Sequence, residues 1–200
     1  LTVVDEHSGD DYVGKLADMY LNWASQKGFS VTVVHEELLS PKITRTMTLL
    51  IEGVSVYGIL QGEEGIHEFI MGRTSKTPRI SRYAKVRVLP VVDEEALRVP
   101  AVELEVEKHK WHGNGLGCKG FKSRVAVTHA PSQLTVSGHS DLSPARATEV
   151  LTDLLRAEMH LLRFLDSDDA SGDREEILRK YTLKPNQSAK DQRTAVSTKN

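Results

Sequence analysis

The sequence contains one cysteine, Cys118, in 200 residues. A single cysteine excludes an internal disulfide framework and suits a reducing compartment. No apolar run reaches the roughly 20 residues that a membrane-spanning helix needs, so we expect no membrane partner. Because the chain begins at Leu1 and not at methionine, we expect it to be a piece or a processed form of something longer.

The chain also lacks an excess of charge of either sign, with 26 Lys and Arg against 28 Asp and Glu and a net charge of −2. Proteins that live on RNA are usually basic because binding neutralises phosphates. Any contact with a nucleic acid must therefore come from local basic patches. The hydrophobic fraction of 39% is ordinary for a globular protein, and the length allows one large domain or two small ones.

The first half of the chain shows one helical pattern among several strand patterns. Apolar residues follow helical spacing from 12 to 27, with Asp10 or Asp11 as the N-cap and Gly28 as the stop. Residues 54–61 are ambiguous. Alternating or β-branched runs predict strands at residues 1–4, 29–34, 46–51, 66–71 and 85–89.

A second unit is expected after the acidic residues 93–95. Ser143 and Pro144 are a suitable cap and first residue for a long amphipathic helix to about Leu165. The tail from 187 to 200 is weakly patterned, and we expect it to be extended or held by a partner. Strands are predicted at residues 102–106, 124–128 and 134–137. A mixed sheet with one helix, followed by a smaller sheet with one long helix, makes the predicted fold class α+β.

A glycine-rich stretch at residues 112–120 contains a literal G-x-G-x-x-G at Gly115, Gly117 and Gly120. A dinucleotide fingerprint needs a helix opening from the glycines, so that the helix N-terminus can hold a pyrophosphate. Here residues 121–128 are predicted to form a strand. We therefore expect no nucleotide cofactor, and a flexible loop between strands is the favoured interpretation.

Histidines surround the same loop, but their spacing is not that of a structural zinc site, so no metal is expected. Cys118 would act as a nucleophile only with a histidine base held by a third group, which the sequence does not establish. Trp111 fits base stacking and packing on the domain surface equally well. No cofactor and no small-molecule substrate are predicted. The histidines concerned are His109, His112, His129 and His139.

The densest basic run precedes the last strand of the first half, and Tyr83 is interleaved with it. Four of its members are predicted to lie in a loop with Pro78, and the others enter a strand. Such a run fits a phosphate-contact patch, and it fits a solvated loop equally well. Its members are Arg73, Lys76, Arg79, Arg82, Lys85 and Arg87.

Short motifs in this chain resemble those of the bacterial-type class I peptide-chain release factors, in particular the branch that reads UGA. They occur in the family's order along nearly the whole chain. They include a Met-Tyr helix end, a Thr-His-x-Pro turn and a Lys-Asp-x-Arg-Thr segment. The resemblance implies a central codon-recognition domain at residues 1–96, completed by 170–200, and a hydrolysis-like domain at 97–169. The matching segments are Met19-Tyr20, Tyr57-Gly58 and residues 62–67, 89–93, 128–131, 179–183 and 190–194.

Two elements of that family are altered here. Where the family has its catalytic Gly-Gly-Gln, the ungapped register places Asn114-Gly115-Leu116, and a small shift places Gly115-Leu116-Gly117. Leucine cannot hydrogen-bond a water, and Asn114 restricts a backbone that the family keeps free to face an oxyanion. The resemblance therefore implies a degenerate hydrolysis loop without peptidyl-tRNA hydrolysis.

The codon-reading loop is altered as well. The family carries a Ser-Pro-Phe segment and then a histidine between basic residues, which stacks on the stop codon. Here residues 72–77 form a shortened loop with Arg73 and Lys76, and Ile80 occupies the histidine position. Residues 142–148 also carry fewer basic side chains than the family's rRNA-facing segment.

These losses predict a non-catalytic protein of a mitochondrion or chloroplast, with the mitochondrion preferred. The leading hypothesis is a component or assembly factor of an organellar ribosome, with ribosomal RNA and ribosomal or assembly-factor proteins as partners. A second is a messenger-RNA-binding protein that protects a transcript end. A third is an active peptidyl-tRNA hydrolase or termination factor that uses other loop residues.

Overall fold

The computed structural model describes residues 1–5, 11–40, 42–71, 79–92, 97–109, 123–165, 177–183 and 187–199. Within them, no helix is both long enough and apolar enough to cross a membrane.

The described residues form two sheets and three helices. An eight-stranded sheet has the order β11-β10-β9-β4-β5-β1-β3-β2, and a three-stranded antiparallel sheet has the order β6-β7-β8. Strands β4 and β9 run parallel, so the large sheet is mixed, and the predicted α+β class is confirmed. The elements are β1 Thr2–Asp5, α1 Tyr12–Gln26, β2 Ser30–Ser40, β3 Ile43–Glu52, α2 Val56–Leu60, β4 Gly65–Met71, β5 Ile80–Arg87, β6 Leu104–His109, β7 Ser123–His129, β8 Leu134–Ser140, α3 Pro144–Leu165, β9 Ile177–Thr182, β10 Ser188–Asp191 and β11 Ser197–Lys199.

Helix α1 lies on one face of the large sheet and begins and ends where the sequence predicts. The Asp11 carboxylate accepts hydrogen bonds from the Gly14 N–H at 3.1 Å and from the Thr44 N–H at 3.0 Å. This one cap therefore also ties the helix to β3. Gly28 follows the helix with a φ of 73°, a conformation that glycine adopts without strain. We call this side of the sheet its helix face.

Helix α3 covers one face of the small sheet. Its cap is the predicted one, because the Ser143 hydroxyl accepts from the Arg146 N–H at 3.3 Å. Leu151 and Leu155 are fully buried. They share a core with Val125 and Val127 of β7 and with Val34 of β2.

The two sheets touch through β2 and β8. A Cβ atom added to Gly138 would stand 2.7 Å from the carbonyl oxygen of Val34, so the close approach of the two backbones requires glycine. The His139 N–H donates to Nδ1 of His35 at 3.2 Å across the same contact. The domain borders at residues 96 and 170 lie outside the described residues and stay a prediction.

Several predicted elements differ from the observed ones because strand pairing overrides local pattern. The tail is extended, as predicted, but as part of the large sheet, where β10 and β11 follow β9. Strand β5 starts at Ile80, so Arg82 lies in a strand and not in the predicted loop. The ambiguous residues near 56–60 form α2, and β6 starts only at Leu104 after a 3-10 turn.

Candidate nucleic-acid interface

The β4–β5 hairpin leads into the region that the resemblance identifies as the codon-reading loop. Ile80, at the position of the family's stacking histidine, pairs with Met71 at the end of the hairpin and is 37% exposed. Its side chain is apolar and has no hydrogen-bonding group for a base. Arg73 and Lys76, with residues 72–77 as a whole, lie outside the described residues.

The described members of the basic run do not form one patch. Arg82 pairs with Phe69, whose ring stacks on Tyr12 of α1, so Arg82 lies on the helix face. Lys85 and Arg87 flank Val86, which is buried in the core beneath α1. Because side chains alternate along a strand, these two cations lie on the opposite face.

Two of these cations are already paired. Arg87 contacts Glu158 of α3 at 2.9 Å, which makes it a bridge between the large sheet and the second unit. Arg79 lies 3.6 Å from the buried carboxylate of Glu68. The prediction that all six basic residues contact phosphates remains a prediction, but of the described ones the structure places Arg82 on one face of the sheet and Lys85 and Arg87 on the other.

Glu68 is a buried carboxylate on β4 that the sequence did not single out. Its Oε1 accepts from the Ser81 hydroxyl at 2.7 Å, and Lys180 lies 3.1 Å from its Oε2. Burial by itself would raise the pKa of Glu68, but the Ser81 and Lys180 contacts outweigh it and hold the pKa below its ordinary value. The charged carboxylate thus anchors Lys180 to the centre of the sheet.

The strongest ion pair on the helix face joins Glu63 to Arg179. The guanidinium makes two hydrogen bonds to the carboxylate, at 2.7 and 2.8 Å, and a third to Asp191 at 3.2 Å. The N–H groups of Thr194 and Arg193 also bind Asp191, and with Arg179 they lower its pKa to about 2. This ion-pair network holds β9, the end of β10 and the 3-10 turn Gln61–Glu63 after α2 together.

Tyr20, His67 and Tyr181 complete this network from α1, β4 and β9. The Tyr20 hydroxyl donates to Glu63 at 3.1 Å, and burial raises its pKa. His67 is fully buried, and its ring nitrogens contact the Tyr181 hydroxyl at 3.2 Å and the Glu63 carbonyl at 3.0 Å. Burial lowers the pKa of His67. These side chains bind one another, and Glu63 and Arg179 are each only 20% exposed, so we interpret the arrangement as structural.

Arg179 and Asp191 belong to segments that resemble the family, but their sequence pattern predicts no partner for either side chain. Glu63 is 116 residues from Arg179 along the chain. No local pattern signals a pairing at that separation.

The segment that the resemblance predicts to be a degenerate hydrolysis loop connects β6 to β7 in sequence. Its residues Asn114, Gly115, Leu116 and Gly117 lie outside the described residues, as do His112 and Cys118. His109 is the last residue of β6 and is largely exposed, 3.8 Å from Glu107.

The other histidines of the second unit have structural partners. His129 contacts the Ser132 hydroxyl at 2.7 Å and Glu103 at 3.2 Å. His139 lies against His35, with ring centroids 5.5 Å apart. In the part of the chain that the structure describes, no three His, Cys, Asp or Glu side chains are grouped as a metal site requires.

Comparison with known proteins places this fold among translation factors. The family model described as the PCRF domain matches residues 7–83. Peptide chain release factor 2 of Thermotoga petrophila is 27% identical over 203 residues, covering 95% of this chain and 55% of that protein. The protein of the same name from Phenylobacterium zucineum is 28% identical and is covered to the same 55%.

A solved structure, RF2 of Thermus thermophilus, superposes with a TM-score of 0.80 at 26% identity, covering 98% of this chain and 60% of that one. The chain therefore spans a little over half the length of the curated relatives it matches. In its PCRF match, its sequence and its fold, this chain is therefore similar to release factors, and it is a release-factor-like protein.

Proposed function

We propose that this protein binds an organellar ribosome through its RNA, as a structural component or an assembly factor, and does not hydrolyse peptidyl-tRNA. The observation that carries the proposal is a contrast within one chain. The fold resembles that of a release factor over 98% of the chain, yet the ungapped register places Asn114-Gly115-Leu116 at the family's Gly-Gly-Gln, and a shifted register supplies no glutamine either.

The chemistry of the substituted residues supports loss of the reaction. Attack of water on the peptidyl ester needs a held water and a backbone N–H facing the developing oxyanion. Leu116 offers no hydrogen bond to a water, and Asn114 narrows the backbone conformations available to the loop. Ile80 removes the stacking group of the codon reader as well. An unselective hydrolase would cut every nascent chain, so joint loss of both elements is consistent with an inactive protein.

Retention of the scaffold supports a binding role. The network of Glu63, Arg179 and Asp191 and the Glu68 cluster keep the large sheet intact although neither performs chemistry. A chain with no remaining partner would have no need of this shape. We infer that the shape itself is recognised, and that the ribosome that release factors visit is the surface it fits.

The experiment is sedimentation of a tagged protein from fractionated mitochondria and plastids, before and after limited nuclease treatment. We expect the protein in one organelle and, after nuclease, still with a ribosomal subunit or its precursor. A protein that returns to the top of the gradient after nuclease would instead support the messenger-RNA-binding alternative. A protein found in neither organelle would overturn the organellar part of the proposal.

A further inference from the structure

The C-terminal segment differs in charge from the rest of the chain. Residues 177–199 contain six of the 26 basic side chains and one of the 28 acidic ones, a formal charge of +5. The remaining 20 basic and 27 acidic side chains give the rest of the chain −7. The chain has a net charge of −2 although this segment is strongly basic. The described residues of the segment form β9, β10 and β11 at one end of the large sheet.

Strand register brings polar residues of this end into one line across the sheet. Directly opposite residues of paired strands carry their side chains on the same face. Phe69, the neighbour of Glu68, packs on Tyr12 of α1, so the line lies on the face opposite to the helix face. Across β11, β10, β9, β4 and β5 its members, hereafter the polar row, are Ser197, Lys190, Lys180, Glu68 and Tyr83.

The cations of the polar row exceed what the protein itself neutralises. Glu68 is buried and is shared by Lys180 at 3.1 Å and Arg79 at 3.6 Å. Lys190 stands directly opposite Lys180, is exposed, and has no ion pair with any residue that the structure describes. Like charges opposite each other on a sheet are unfavourable, and a bound anion between them removes the repulsion.

Helix α1 reaches this end of the sheet only on the helix face, where Tyr181 packs against its core, and not on the face that carries the polar row. Helix α3 packs on β7, β8 and β2, at the far edge of the strand order from β10 and β11. The row therefore presents Lys190, the partly exposed Lys180 and the Ser197 hydroxyl to a partner.

We propose that the polar row binds the phosphate backbone of RNA, with Lys190 as its exposed contact and Lys180 as a contact anchored by Glu68. This inference rests on the proposed function, because it names the surface through which that RNA is held. RNA is favoured over an acidic protein because phosphate and sugar groups are bound by lysines and hydroxyl groups, which the polar row carries on adjacent strands. It offers no apolar centre of the kind that anchors a protein partner.

The test measures binding of a 20-nucleotide polyuridylate and of purified ribosomes across a salt series, with Lys190→Glu as the variant. The matched control is Lys27→Glu, which makes the same change of charge at an exposed position after α1. We expect Lys190→Glu to weaken RNA binding about tenfold and to reduce the slope of log affinity against log salt by about one. Lys27→Glu should change neither by more than about twofold, and thermal unfolding should show both variants folded.

Three results overturn the proposal in distinguishable ways. If both variants lose RNA affinity equally, the polar row is not the contact surface, although RNA binding and the proposed function stand. If Lys190→Glu weakens binding to ribosomes but leaves binding to polyuridylate unchanged, the polar row binds an acidic protein. If the unmodified protein binds neither RNA nor ribosomes at low salt, the proposed function fails together with this inference.

Discussion

At the scale of single residues, Arg179 is the cation that links Glu63 to Asp191, two carboxylates from distant parts of the chain. It contacts Glu63 through two hydrogen bonds and Asp191 through a third, with only 20% of its side chain exposed. Burial alone would lower the pKa of Arg179, but Glu63 and Tyr181 raise it above its ordinary value. The guanidinium is therefore charged, and it contacts both carboxylates.

We expect Arg179→Met to lower the free energy of unfolding by about 3 kcal/mol, because it leaves the Glu63 and Asp191 carboxylates without their partner. Arg45→Met is the matched control, since Arg45 meets Glu37 at 3.7 Å with 58% and 46% of the two side chains exposed. It should change stability by less than about 1 kcal/mol. Urea unfolding of both variants measures the difference, and equal losses would contradict a special role for the Glu63–Arg179 pair.

At the scale of elements, the contact between β2 and β8 determines how the second unit sits on the large sheet. Gly138 permits the backbones to approach, and Val34 enters the core beneath α3. The contact is close enough that one added methyl group cannot be accommodated without movement.

We expect Gly138→Ala to destabilise the protein by about 1 to 3 kcal/mol through overpacking against the Val34 carbonyl. Gly58→Ala is the control, because a Cβ there meets nothing within 4 Å. In helix α2 that substitution should be neutral or stabilising by up to about 1 kcal/mol. Thermal unfolding gives the comparison, and a Gly138→Ala protein as stable as the unmodified one would show that β2 and β8 do not pack this closely.

The same contact should respond to pH. Burial, then the neighbouring His139, lowers the pKa of His35, while Glu37 opposes the shift. Burial and Arg124 lower the pKa of His139, with Glu37 again opposing. Nδ1 of His35 accepts the His139 N–H, so it must be unprotonated.

Because both pKa values are lower in the folded state, the unfolded chain binds more protons, and stability should fall as pH drops below about 6.5. His35→Gln should make stability less dependent on pH between about 5 and 7. His109→Gln, at an exposed position, should leave that dependence unchanged. Urea unfolding at several pH values measures this dependence. If the free energy of unfolding of His35→Gln varies with pH as in the unmodified protein, His35 is not the group responsible.

At the scale of the whole molecule, the fold is similar to that of RF2 of Thermus thermophilus, and the proposed loss of both functional loops predicts an inactive protein. We expect no peptide release on any stop codon above the no-factor background, because Leu116 cannot hold a water. The assay uses pre-termination ribosomes of the relevant organelle, with that organelle's own release factor as the positive control. Stop-codon-dependent release by this protein would refute the inactive assignment.

The variant Asn114→Gly with Leu116→Gln addresses the two loops separately. It should remain inactive, because the shortened loop with Ile80 still cannot place the second unit at a stop codon. Release by this variant would show that the hydrolysis loop alone limits the unmodified protein.

Local sequence patterns predicted the helices α1 and α3, their caps at Asp11 and Ser143, and the α+β class. The order of short motifs indicated the family resemblance. These depend on spacing within about 20 residues and on motif order, which a chain carries without folding. Local patterns also identified most strands, although they missed the true start of β5.

The contacts between residues distant in sequence became known from the tertiary structure alone. It placed Arg82 and Lys85 on opposite faces of one strand, joined Glu63 to Arg179, and turned a weakly patterned tail into β10 and β11. It also brought Lys190 opposite Lys180. Pairing between distant strands depends on register and on the backbone hydrogen bonds of partners elsewhere in the chain, and no local pattern of residues encodes that choice.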